Sequence, residues 1–521
     1  MVSWELIYKA IVFIAEEMGV MLKRSALSPN IRERVDLSCA VTDPEGRIVA
    51  QAEHIPVHLG SFRIGVYNTL DWIRREGMVL EKGDTVIVND PYVAGTHLND
   101  IMLLTPVYYD DRLVAYVVSK AHYVDIGGPV PGSMNPYAKT LYEEGLIIPP
   151  SKIVKKGVID KELFKLITEN TKTPMITRGD LSAQIAANNA GVKRVVEMIN
   201  RYGLENVLEA WSRAIEYGYE LSVQGMSGWK RGVYSASDYL ELPDRDVVIE
   251  ASVEISGDRV RVDFTGSSRQ VDAPINAVYG VTFAATSYAV RLLLEGNVPI
   301  NEGFYRVIEV YAPEGTIVNP RKPAPVAAGN VETSQRIVDV ILHALAEAVP
   351  YRVPAAGSGT MMNVMLGGYD EEKGYWAYYE TIGGGTGGRP GKNGVSGVHV
   401  NMTNTMNTPI EIAERSYPIL YTAYRIREGS GGQGKYRGGD GIVRAFKVLK
   451  PARLAIIADR FRHRPYGLWG GEPGAPGRVT IIRANGKVEK MPSKFVTDLE
   501  PGDEVVIETP GGGGWGSHTQ V

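Results

Sequence analysis

Two of the eight histidines stand three residues before an aspartate, in GTHLND and AHYVDIGG: His97 with Asp100, and His122 with Asp125. An imidazole and a carboxylate at that spacing fall within reach of each other on one turn. A strand hairpin between the two motifs would bring His122 back beside the first pair. Two neutral imidazoles and one carboxylate hold Zn²⁺, Mn²⁺ or Fe²⁺ while leaving positions for water, the arrangement that Lewis-acid or hydroxide chemistry needs. Asp125 would then orient a ligand or act as a general base. The competing interpretation is that both histidines cap strand ends and the aspartates terminate turns; spacing alone leaves both open.

Three further stretches carry chemistry-bearing residues. AEHIPVHLGS places His54 and His58 four residues apart around Pro56, which argues against a regular helix there. The segment is either a loop that starts a helix with Ser61 as its cap, or a contact by His58 to substrate or to a metal ligand. YYETIGGGTGGRPGKNGVSGVHVNMTNT, from Tyr378 to Thr405, is either a structural glycine loop or a backbone nest for a carboxylate or phosphate supported by Arg389 and His399. GSGGQG matches GxGxxG formally, but the turn and strand that follow lack the helix a dinucleotide site requires. No GxxxxGK[ST] and no GxSxG occurs, and the single cysteine, Cys39, falls inside an expected strand as a buried thiol.

These residues need a framework to hold them. The periodicity predicts a first helix from Ser3 to about Lys23 with Ile7, Ile11, Ile14 and Met18 inward, and a second from Phe62 to about Arg75. VDLSCAVTDPEGRIVAQA reads as a hairpin over DPEG; DTVIVND, IMLLTPVYYD and RLVAYVVSKAH read as three strands, with the histidine motifs at their open end. Paired helices follow from Ser182, entered through GDLS as a capping sequence. A hairpin over Gly257-Asp258 comes next, then helices at Ala284–Leu294 and Glu332–Glu347. The last part is a run of short strands between glycines. The expected class is α+β, multi-domain, with mixed sheets, flanking helices and a mostly β C-terminal region. The expected units are 1–235, carrying the proposed metal site, 236–370, and 371–521.

Composition narrows the function classes. A chain of 521 residues with 44% hydrophobic and 22% charged residues is long enough for several cores. A net charge of −4 gives no footprint for nucleic acid, and no stretch is apolar and long enough to span a bilayer. Charges at Glu5, Lys9, Glu16 and Glu17 exclude a signal peptide at the start, so a cytoplasmic location is expected. The 58 glycines suggest many tight backbone turns.

SPNIRERVDLSCAVTDPEGRIVAQAEHIPVHLGS, NDPYVAGTHLNDIMLLTPVY, AHYVDIGGPVPGSMNP, GDLSAQIAANNAGVKRVVE, GNVETSQRIVDVILHAL, YYETIGGGTGG and SGGQGKYRGGDGIVR, in this order, resemble the B-type subunit of the ATP-dependent hydantoinase and 5-oxoprolinase family, which includes the large subunits of acetone and acetophenone carboxylases. In the carboxylase relatives an HxxD pair and a later histidine hold manganese or a similar ion; the matching residues here are His97, Asp100 and His122. The sequence departs from the pattern at THLND, where THLPD-like runs are usual, and at HYVDIGG, neither change touching an implied ligand.

The resemblance implies a divalent metal (Mn, Zn or Fe) in this chain, ATP on an A-type partner subunit, and a hetero-oligomer that hydrolyses a lactam or hydantoin ring. In that scheme Asp125 or His58 transfers protons, and Gly127, Gly128, Arg389 and His399 contact substrate. Two alternatives remain at this stage: the large subunit of an ATP-dependent ketone carboxylase, and a non-catalytic scaffold for the A-type subunit.

Overall fold

A computed structural model describes residues 3–52 and 54–517. It is α+β, with four sheets. The first has seven strands in the order Ile48–Gln51, Leu37–Thr42, Arg112–His122, Asp100–Tyr109, Thr85–Val88, Ser151–Lys155, Val158–Ile159, all paired antiparallel. Its central hairpin, Asp100–Tyr109 with Arg112–His122, is buried on both faces along most of its length, which is why IMLLTPV and VAYVVSKAH are nearly unbroken apolar runs.

Helices cover both faces. Ile7, Ile11, Ile14 and Met18 of the helix Trp4–Ser25 pack on Cys39, Val41 and Val117, while Phe62 and Val66 of the helix His58–Arg75 share a core with Ala40 and Met102 on the other side. Burial pushes the Cys39 thiol up to about 12, so it is an inert core residue. The helix Pro174–Tyr202 lies along the same hairpin, and Gln184 Nε2 donates to the carbonyls of Ile101 and Ser119 from adjacent strands.

Two expected helix starts shift. GDLS lies inside a helix that begins eight residues before Ser182, with Pro174 in its first turn, where the missing N–H costs nothing. The second helix begins at His58 rather than Phe62, because Pro56 lies in the turn just before it. Ser61 is therefore no cap; its Oγ donates to the His58 carbonyl within the first turn.

Residue 235 falls within the strand Gly232–Glu241, and residue 370 ends a strand whose hairpin partner is Gly374–Thr381. One continuous core runs from Leu22 through Val253 and Ile341 to Ile457.

The glycine clusters serve close packing more than turning. None of the glycines of GGGTGG (Gly383, Gly384, Gly385, Gly387, Gly388) or of PGGGG (Gly511, Gly512, Gly513, Gly514) has a left-handed backbone. They form layered extended segments joined by Gly388 N–H to Gly513 O, Gly512 N–H to Gly439 O and Gly439 N–H to Thr386 O, each 2.9 Å. A Cβ on Gly387 would lie 1.8 Å from Ala355 O, and one on Gly513 1.9 Å from Tyr466 O. Backbone cannot move aside as a side chain can, so Gly513→Ala is expected to cost about 3 kcal/mol or more. A lowered melting temperature and soluble yield would register it, and an unchanged melting curve would contradict it.

Candidate metal centre

The end of the central hairpin assembles the centre. Asp100, the first residue of one strand, is the cross-strand partner of His122, the last residue of the other. Facing residues in an antiparallel pair hold their side chains close together. His97 arrives from the preceding turn: the short helix Pro91–Ala94 stops at Gly95 in a left-handed conformation (φ 81°), and the Asp100 N–H closes back on the His97 carbonyl at 3.1 Å.

Three ligand-type atoms converge. His97 Nε2 lies 3.2 Å from His122 Nδ1 and 3.3 Å from Asp100 Oδ1, and His122 Nδ1 lies 3.4 Å from Asp100 Oδ1. Ligands at metal–ligand bonds of about 2.1 Å in a tetrahedral shell sit about 3.4 Å apart, so the triangle has the dimensions of a coordination face. His97, Asp100 and His122 form the one such group of three among the described residues, and all are buried. Asp100 Oδ1 has no hydrogen-bond donor, an orphan that a cation would complete.

The partners behind the triangle fix which atoms point inward. His97 Nδ1 contacts Ala327 O at 3.1 Å; a carbonyl only accepts, so Nδ1 carries the proton and Nε2 presents its lone pair. Glu144 anchors that carbonyl's segment by accepting from Val326 N (3.0 Å) and Ala327 N (2.9 Å). His58 Nε2 donates to Asp100 Oδ2 at 3.2 Å and its Nδ1 meets Ser38 Oγ at 3.0 Å. Tyr379 stacks on the His122 ring, with centroids 4.6 Å apart.

Burial alone would push the Asp100 carboxyl up. The charges of His97 and His58, with the close contacts of the His122 and His58 rings to the carboxylate, outweigh it and hold the group well below the usual carboxylate range. Burial pulls His97 down, but Asp100 overrides it and leaves the ring above its ordinary value, whereas burial prevails at His122 and lowers it. His58→Ala would free Asp100 Oδ2 in a dry site. Loss of a partner behind a ligand is expected to weaken divalent-metal affinity about 10–100-fold, measured by metal titration; unchanged affinity would refute the positioning.

The expected site residues do not all meet. His58 joins the cluster, as the partner of Asp100, whereas His54 packs against Gly19 and lines an outer cavity. Asp125 does not support His122: its carboxylate accepts from Gly127 N and Lys172 N, both 2.9 Å, and from Lys172 Nζ at 3.3 Å. Past His122 the chain leaves the strand, carrying Asp125 into a knot in which Lys172 Nζ also donates to Gly127 O and Gly128 O. Gly127 and Gly128 are left-handed (φ 94° and 79°), which accounts for their identity without a substrate.

Arg389 and His399 line a separate cavity. The free N–H cradle expected beside them is not formed, since Gly384, Gly385 and Gly388 donate to Val398, Pro510 and Gly513 carbonyls.

Several residues of the centre escaped the spacing argument. Arg34 is fully buried on the cavity wall, 4.7 Å over the Tyr379 ring, with Nη2 donating to Thr381 and Thr405 while Nε and Nη1 have no partner. Asp36 Oδ2 stands 4.0 Å from His122 Nδ1. Asn330 reaches the wall from a widened π-type turn, Gly329–Thr333, that opens the helix Ser334–Ala344. The available signal was RVDL, in which Arg34 and Asp36 stand directly before a fully buried strand. The cavity they enclose is about 20 Å³, room for one water.

Residues 1–518 match the family model described as Hydantoinase B/oxoprolinase. The chain belongs to the hydantoinase B/oxoprolinase family. A relative of uncharacterized function from Methanocaldococcus jannaschii is 52% identical over 99% of this chain and 90% of its own length. The 5-oxoprolinase of Dictyostelium discoideum is 38% identical over 96% of this chain, which spans only 39% of that longer protein. A Pseudomonas sp. protein provisionally named as the B-type subunit of a D-/L-hydantoinase is 32% identical over 97% of this chain and 88% of its own length.

Among solved structures, the family likeness extends to the ATP-dependent caprolactamase from Pseudomonas jessenii (TM-score 0.92, 28% identity, 99% of this chain and 90% of that one). Acetone carboxylase has the same fold (TM-score 0.92, 19% identity, 98% of this chain and 75% of that one). No helix among the described residues is long and apolar enough to cross a membrane.

Proposed function

We propose that this chain is the metal-bearing, ring-opening component of an ATP-dependent cyclic amidase, working with an ATP-binding A-type partner on a lactam or hydantoin. The observation that carries this is the convergence of His97 Nε2, His122 Nδ1 and Asp100 Oδ1 within 3.4 Å of one another in a buried cavity. The names of its relatives support the choice of substrate class, since 5-oxoprolinase and caprolactamase both denote enzymes of cyclic amides.

A ring amide is stabilised by resonance and has a poor leaving group. Transfer of the γ-phosphoryl group of ATP to the amide oxygen, on the partner, removes that resonance. Water then adds at the activated carbon, the ring C–N bond breaks with a proton passing to nitrogen to leave an acyl phosphate, and a second water cleaves that to the carboxylate and free phosphate. His97, Asp100 and His122 would hold a divalent ion, which when bound supplies Lewis acidity beside the reacting carbon. His58, on the cavity wall and hydrogen-bonded to Asp100, is the group placed to relay the proton. Arg34 offers its unpartnered Nε–H and Nη1–H to the negative charge that develops on oxygen. A cavity of about 20 Å³ admits water and not a ring, so binding of the ring requires the lining to move apart.

The test is co-purification with the A-type partner, followed by ATP turnover against 5-oxoproline, hydantoin, caprolactam, and acetone with bicarbonate. Ring opening stoichiometric with ATP hydrolysis, and lost in His97→Ala, is the expected result. Consumption of acetone and bicarbonate with every cyclic amide inert would overturn the assignment in favour of carboxylation.

A further inference from the structure

A second cavity, of about 290 Å³, opens beside the glycine layers and is separate from the metal centre. It sits at the small end of the range of ligand pockets, about 300 to 1,000 Å³. Its chemistry is uneven. Arg389 and Lys392 stand at its edge on one tight turn, locked by two reciprocal backbone hydrogen bonds of 3.0 Å: Arg389 N–H to Lys392 O, and Lys392 N–H to Arg389 O. Both side chains are exposed, and no ion pair to either occurs among the described residues. Two cations three residues apart on a rigid reverse turn repel each other, and an anion between them would relieve that repulsion.

The walls complete the picture. Leu342 and Val400 give an apolar surface. The acid that faces the cavity, Asp339, is already neutralised: its carboxylate takes hydrogen bonds from Arg336 Nη1 (3.0 Å), Arg460 Nη2 (2.6 Å) and Asn401 Nδ2 (3.1 Å). His399 also lies in the wall, with its Nε2 turned away from the open space and shut off from solvent. Burial, with a smaller contribution from Arg34, pushes the ring down to about 3, so it is neutral at physiological pH and can donate or accept one hydrogen bond.

We propose that this cavity is a binding site for a small organic carboxylate, its anionic group held between Arg389 and Lys392 and its apolar body against Leu342 and Val400 beside His399. The proposal is independent of the metal centre. His399–Asn401 line this cavity while Met402, Thr403 and Thr405 line the other, so one short segment of chain separates the two.

Calorimetry on the full chain, without ATP or partner, tests it with a matched pair of probes: cyclopentanecarboxylate and cyclopentanecarboxamide. The carboxylate is expected to bind at millimolar concentration or below and to weaken as salt rises. The amide is expected to bind at least tenfold more weakly. The exposed double variant Arg389→Ala/Lys392→Ala should lose at least tenfold in carboxylate affinity, and His97→Ala should lose none, which keeps this result apart from any failure of the amidase assignment. Equal binding of the two probes, no binding of the carboxylate, or an affinity insensitive to the double variant would each overturn the proposal.

Discussion

Protein purified with its metal intact is expected to carry about one divalent ion per chain, and His97→Ala to lose both the ion and ring-opening activity. The side chain contributes one of three converging ligand atoms, and its Nδ1 is tied to Ala327 O, which holds Nε2 toward the centre. Lewis-acid stabilisation is worth several kcal/mol, which corresponds to roughly a thousandfold in turnover. Metal content by elemental analysis and turnover with the A-type partner read the two effects separately. An unchanged melting temperature shows that the variant is folded. Full turnover by metal-free protein would sink the assignment of His97, Asp100 and His122.

The largest expected loss of stability lies elsewhere, in a buried ionic network that ties the sheet of Gly232–Glu241 to the C-terminal half. Arg336 donates to Asp339 (3.0 Å), Asp459 (3.3 Å), Asp238 (3.4 Å) and the Tyr239 carbonyl (2.8 Å). Arg460 bridges Asp238 and Asp339, and Lys494 reaches Asp459 at 3.0 Å. Arg336→Met keeps most of the volume but leaves three carboxylates short of a cation in a site that excludes water. Removing one partner of such a network costs about 3–5 kcal/mol.

The cost should depend on pH. Burial pushes Asp339 up to about 7 even with Arg336 beside it. The folded protein therefore retains this proton over a range where the unfolded chain has released it, and stability from that source declines as pH rises from about 4 through 7. Without Arg336 the carboxylate is harder still to ionise, so the deficit of Arg336→Met should be smaller at pH 6 than at pH 8. Denaturant midpoints at the two pH values check this. A deficit that grows toward acid would refute it.

Much of the positioning framework was legible in the chain. The central hairpin announces itself as two apolar runs across Asp110-Asp111, the first helix by Ile7, Ile11, Ile14 and Met18, and the buried state of Cys39 by its place in an alternating strand. Helix starts were less legible, since a proline in the first turn at Pro174 and a turn at Pro56 carried more weight than the serines available as caps. The glycine clusters misled because a glycine needed for a turn and one needed for backbone contact look alike in sequence; at Gly387 and Gly513 the requirement comes from a carbonyl more than thirty residues away.

By itself the sequence determined the elements: which runs become strands, that His97 and Asp100 share a turn, and that a hairpin returns His122 to them. Only the tertiary structure decided what those side chains face. It separated two His-x-x-Asp motifs of the same form, sending Asp100 to the centre and Asp125 to Lys172, and it recruited His58, Arg34, Glu144 and Tyr379 from segments up to hundreds of residues apart. The physical reason is range. Local spacing fixes contacts within a turn or across a hairpin, whereas the orientation of a ligand depends on its hydrogen-bond partners, and these arrive only when distant segments close over the strand ends.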